Sequence, residues 1–180
     1  MRKKLLLFMT FIIITTLFVG CGKSEDENTI RNDVKVEDLT AAVADALGEN
    51  YWPTQKITGE DAAELYGITL DNCDELISEI PMISTNADML LIAKAKKDKV
   101  DVIKKEIEAL RDSKVNDTMQ YLMNIPKIAA STVKVIGNYV IYVQLGGDAV
   151  SNPSDEEIKK ACEEDNNTAI TAIEDKLKAK

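Results

Sequence analysis

An α+β domain is what the sequence predicts: a mainly antiparallel sheet of about four strands, in two hairpins, packed on one side by helices. Three observations carry this. Val133 to Ile136 and Tyr139 to Val143 are apolar-rich runs flanking Gly137-Asn138, and Gly first in a two-residue loop marks a type II′ hairpin turn. Met89 to Ala95 (MLLIAKA) opens with successive apolar residues, as a strand buried on both faces does. Around these runs, longer segments space their apolar residues three and four apart, the period of one helix face.

The first 21 residues are of a different kind. Arg2, Lys3 and Lys4 make a positive start, and the apolar run Leu5 to Gly20 follows, with Thr10, Thr15 and Thr16 inside it. A stable bilayer-spanning helix wants about 18–20 mainly apolar residues, so this shorter run suits the apolar region of a signal peptide. Gly20 is small enough for a protease pocket. Cys21 offers the one side chain here that can take a diacylglyceryl group as a thioether. The arrangement is that of a lipoprotein signal peptide, with Phe18 where Leu, Val or Ile is usual. At ~0.8 kcal/mol per buried CH₂, two acyl chains anchor firmly. The alternatives are an uncleaved signal anchor or a secreted protein cut nearby. The expected organisation is a signal peptide over 1–20, the lipidated Cys21 with a flexible tether over 21–34, the α+β domain over 35–148 and a final helix over 149–180.

In chain order, Gly22 to Asp33 (GKSEDENTIRND) is polar and reads as the tether. Val36, Leu39, Val43 and Leu47 mark a first helix that Gly48 ends. Tyr51-Trp52 is read as a lid over the core, with an exposed binding patch as the alternative. Thr58 with Asp61 starts a short helix that Gly67 stops. Residues 70–83 suit either a helix from Asp71 or, given Pro81, an extended edge strand. The second is favoured, in a hairpin from about Glu75 to Lys96 through a turn at Ser84-Thr85-Asn86-Ala87. Val100, Ile103, Ile107 and Leu110 give the clearest helix. Asp117 to Met123 gives a short one broken at Pro126, its Met119, Leu122 and Met123 filling the core. In the hairpin of 132–145, Ile136 should face Tyr139 and Lys134 face Ile141, with the second strand central and the first near an edge. Ser154 and Glu157 form a capping box. The helix beyond it stripes Ile158, Cys162, Ala169, Ile173 and Leu177, interrupted at Asn166-Asn167.

Composition narrows the function. Cleavage after Gly20 leaves 160 residues, enough for one domain with a real core. It removes three basic residues and no acid, taking the formal charge from −9 to −12. That acidity argues against nucleic acid and against flat adsorption to an anionic membrane. The chain holds no histidine, which excludes imidazole chemistry and the commonest transition-metal ligand. Cys73 and Cys162 are read as two separate half-buried thiols, with pairing as the alternative.

No catalytic set, metal set or cofactor motif stands out. The acid clusters Asp71, Asp74 and Glu75; Asp155, Glu156 and Glu157; and Glu163, Glu164 and Asp165 read as solvated helix faces and helix starts. Asp71 to Glu75 lacks the alternating acids and fixed Gly of a calcium loop. Gly146-Gly147-Asp148 is too short to cradle phosphate. The least bland stretch is 84–88, where Ser84, Asn86 and Asp88 place hydrogen-bonding groups and a carboxylate at a turn beside a strand. Such a turn can hold a small polar ligand or a partner's backbone; the commoner use is that Ser and Asn bond their own main chain.

Residues about 36–148 resemble the DUF4358 family, a domain of unknown function in lipoproteins of Firmicutes. The resemblance rests on Pro81-Met82-Ile83-Ser84, Asn86-Ala87-Asp88, Ala93-Lys94-Ala95, Tyr121 and Gly137-Asn138-Tyr139-Val140. The chain departs from the family where Pro follows soon after the Tyr, since Pro126 is five residues on. The resemblance implies a lipid-anchored protein of a Gram-positive bacterium and no known activity, substrate or cofactor. The expected role is a non-catalytic binding module on the outer face of the cytoplasmic membrane, anchored through Cys21. Its expected partner is an envelope protein or a small polar ligand. An envelope hydrolase using carboxylates and a structural subunit of an envelope complex are the alternatives.

Overall fold

The structure, a computed structural model, describes residues 30–146 and 154–178. The signal peptide, Cys21, Gly147, Asp148 and the segment before Ser154 lie outside the described residues. Among the described residues five strands form one antiparallel sheet, β1 (Gln55–Thr58), β2 (Cys73–Ile80), β3 (Met89–Ala95), β4 (Thr132–Ile136) and β5 (Tyr139–Gln144), in the order β1-β2-β3-β5-β4. Among the described residues five helices pack around it: α1 (Val36–Leu47), α2 (Gly59–Tyr66), α3 (Val100–Val115), α4 (Ile125–Ala130) and α5 (Asp155–Leu177).

The α+β class and both hairpins stand as expected, with one strand more. Gln55–Thr58 is too short and too polar to show a strand period, and pairing with β2 makes it one. That pairing removes β2 from the edge, where Pro81 had suggested it. Pro81 lies one residue beyond the last ladder partner, Ile80, so its missing N–H costs the sheet nothing. In the second hairpin Ile136 faces Tyr139 and Lys134 faces Ile141. Gly137 has φ 59° and Asn138 is not among the positive-φ residues, which makes the turn type II′.

Helices cover both faces of the sheet rather than one. Leu90, Ile92, Tyr139 and Ile141 pack under α1 and α5, whereas Leu91, Ala93, Val140 and Tyr142 pack under α2 and α3. β3 and β5 are apolar at nearly every position, and a strand greasy on both faces has to be roofed twice. Gly48 and Gly67 end α1 and α2, and the Ser154–Glu157 capping box starts α5. Thr58 precedes α2 but makes no side-chain cap.

Two further expectations change. The Asn166-Asn167 pair does not break α5: Asn166 is buried on its stripe, accepts from Leu145 N at 2.9 Å and donates to Ala130 O at 3.0 Å. The helix expected over 117–123 sits later. Residues 116–121 form turns, one 3₁₀ turn covers Leu122–Asn124, and α4 begins with Pro126 in its first turn, where proline is favoured.

Candidate functional site

The loop joining β2 to β3 is held from three sides. Asn86 Oδ1 accepts from Asp88 N at 2.8 Å, a local Asx turn. The same oxygen accepts from Lys127 Nζ of α4 at 3.1 Å, and Lys127 also donates to Asp88 Oδ1. Asn124 Nδ2 donates to Thr85 O at 3.0 Å. From β5, Gln144 Nε2 donates to Ala87 O, while its Oε1 accepts from the Tyr142 hydroxyl. Lys127 and Asp88 are only 3% and 2% exposed, so this is a buried ion pair binding α4 to the loop.

This places the three residues singled out at the turn. Asp88 is buried against Lys127; Asn86 is half-buried and bonds both the loop's own main chain and Lys127; Ser84 is exposed on the rim. All three line a cavity of about 450 Å³ that reaches across to Tyr66 of α2 and to Leu110 and Lys114 of α3. A second cavity of about 460 Å³ lies between the end of α3 and α4, walled by Val115, Ile125 and Ala129. Lys114, Gln120 and Ile128 border both. Burial pushes the Lys114 amine below the usual lysine range, with Asp117 pulling the other way. Among the described residues no carboxylate comes within ion-pair distance of Lys114, whereas its neighbours on α3 pair as Lys104–Glu108 and Arg111–Asp112.

The surroundings are unusually apolar for a surface. Among the described residues eleven large apolar side chains are exposed, and nine belong to this end: Leu65, Met82 and Ile83, and six more between Val115 and Ile125. Met119 is 89% exposed and Leu122 81%. These were the side chains expected in the core. The core above α3 is already closed by Ile103 and Ile107, and the turns over 116–121 carry the later residues outward. Trp52 is also exposed, while Tyr51 packs on the core and donates to Glu79 at 2.5 Å, so only half of that pair is a lid.

The acid clusters are elsewhere. Asp71 and Asp74 are exposed, Glu75 accepts from Val36 N and Lys94, and Glu163 and Glu164 pair with Lys159 and Lys160. Among the described residues no three acids or cysteines gather as a metal site. Cys73 and Cys162 are not joined in a disulfide; both are buried rather than half-buried.

Comparison with known families decides the classification. A family model described as a domain of unknown function, DUF4358, matches residues 46–145. The chain belongs to the DUF4358 family. The DUF4358 match runs from the last turn of α1 to the end of β5, so it contains all five described strands, the loop over 81–88, the Lys127–Asp88 pair and the exposed apolar segment. Most of α1 and all of α5 fall outside it. No curated protein and no solved structure matches the chain.

Sequence reading missed Lys127, Lys114 and Gln144. One signal for Lys127 was present: it is the only charge in the apolar run Ile125 to Ala130, where a lone charge needs a buried partner.

Proposed function

We propose that this chain is a lipid-anchored docking module of the bacterial cell envelope. Cys21 holds it on the outer face of the cytoplasmic membrane, and the loop end of the sheet binds another envelope protein. One observation carries the docking half: the apolar side chains left outside the core are gathered at one end instead of scattered. Scattered apolar residues are normal on a surface, whereas a contiguous group around a cavity marks an interaction site.

The anchor half is supported by Arg2 to Lys4, the apolar run to Gly20 and the thiol at Cys21. A body of formal charge −12 is repelled by anionic lipid, so the acyl chains have to do the holding. A carboxylate hydrolase is the less favoured reading, because the acid clusters lie on exposed faces, cap helices or pair with lysines.

Two experiments test the two halves. Labelled palmitate should enter the wild-type chain in cells and be absent from Cys21→Ala; label retained in that variant removes the anchor. A photo-cross-linking amino acid at Leu122 should give one discrete adduct in cells, whereas the same residue at Val102, exposed on α3 outside the patch, should give none. Equal yields at both positions would contradict docking at this end.

A further inference from the structure

We infer that the docked segment is apolar and carries a carboxylate, which the Lys114 ammonium receives between the two cavities. The inference rests on the docking end proposed above and names the chemistry of its occupant.

Lys114 stands in the last turn of α3 with a cavity on either side, both walled largely by apolar side chains. The charged groups facing it are accounted for. Asp88, which lines the first cavity, is engaged with Lys127, and Asp117, which lines the second, is near enough to act on Lys114 but not to pair with it. An ammonium partly stripped of water gains more from an arriving carboxylate than one in bulk solvent, because their attraction is less screened. Among the described residues Lys114 is the one cation that lines either cavity, and it sets the sign of the partner's charge. Met82 lies in the loop that lines the first cavity, and Met119, Leu122 and Met123 flank Gln120, which borders both; all four are exposed. The three methionines, unbranched and polarisable, mould themselves to an apolar segment.

The path of the chain favours a protein partner over the anchoring membrane. Ile30 bridges to Lys178 and lies against Gly137, so the tether joins the domain at the β4–β5 turn. The β3–β5 ladder runs from Lys94↔Tyr139 near that turn to Met89↔Gln144 beside the docking end. Those five residue steps amount to roughly 17 Å of strand. The docking end therefore lies at the opposite end of the sheet from Ile30, where the chain leads back to Cys21.

The test uses the full lipidated chain in detergent micelles and a displayed library of random 12-residue peptides. Enriched peptides should carry at least one Asp or Glu among apolar residues. Changing that acid to its amide should weaken binding at least tenfold to wild type and have no effect on binding to Lys114→Met. Leu122→Ser should weaken the acid and amide peptides alike. Enriched peptides without acids, or an amide penalty that survives Lys114→Met, would overturn the inference.

Two other occupants are separable. With Cys73 and Cys162 buried, a fluorophore attached through Met119→Cys reports on the patch alone. Its emission should be untouched by brominated lipid in reconstituted vesicles; quenching would assign the patch to the membrane. A concentration-dependent dimer abolished by Leu122→Ser would assign it to a second copy, and either result overturns the inference. Cross-linking from position 122 together with acid-free peptides leaves the docking reading standing without its carboxylate. Loss of both signals removes both.

Discussion

Replacing Lys127 by Met tests the ion pair that ties α4 to the β2–β3 loop. The ammonium donates to Asp88 and to Asn86, and neither Lys127 nor Asp88 is more than 3% exposed. Removing it leaves a carboxylate buried without its cation. Breaking such a pair from one side costs ~3–5 kcal/mol, against a total stability of ~5–15 kcal/mol for an ordinary domain. At ~2–4 °C per kcal/mol for a chain of this size, the melting temperature should fall by about 10 °C. The double variant Lys127→Met/Asp88→Leu should recover most of the loss, since an ion pair replaced whole by apolar groups of similar volume is close to neutral. Urea unfolding followed by far-ultraviolet circular dichroism measures all three chains. A single variant within about 1 kcal/mol of wild type, or a double variant that costs the sum of both singles, would refute a buried, mutually dependent pair.

Other outcomes follow from the same structure. Asn166→Ala strands the buried Leu145 N–H and Ala130 carbonyl, so urea midpoints should show a loss of about 2–4 kcal/mol. Alkali should weaken the fold: burial pushes the Cys73 thiol up to about 11 and the Tyr139 and Tyr142 hydroxyls up to about 12. The folded chain then keeps protons that the unfolded chain releases from about pH 9 to 10, so stability is whole below pH 9 and declines towards pH 12. Stability that rose across that range would contradict the burial of these groups. An aromatic disulfide reagent should modify Cys73 and Cys162 slowly in the native chain and both rapidly in urea; fast native labelling would show the two helix-covered faces to be open.

The fold was legible where local chemistry and tertiary demand agree. Gly137-Asn138 fixes the turn, the turn fixes the register, and the register buries every residue of β5. The Ser154–Glu157 box likewise states its helix start outright. Reading failed where a residue's role is decided by something distant. Gln55–Thr58 becomes a strand only because β2 offers it a free edge. Asn166 looks like a helix interruption until Leu145 and Ala130 arrive to use both ends of its amide. Met119, Leu122 and Met123 have the composition of core, and only the closure of the sheet by α3 leaves them outside. The candidate site was half legible. Asn86 and Asp88 could be named from the turn, but the cation they bond comes from a helix 39 and 41 residues away.

The most direct measurement places aspartates at Met119 and Leu122 together and follows both the melting curve and the cross-link from a photoreactive residue at Ile83. If these side chains serve a partner and not the core, the melting temperature should stay within a degree or two of wild type while the cross-link disappears. A chain that unfolds would show them to be core after all, and a stable chain that still cross-links would show that the apolar end is not where the partner sits.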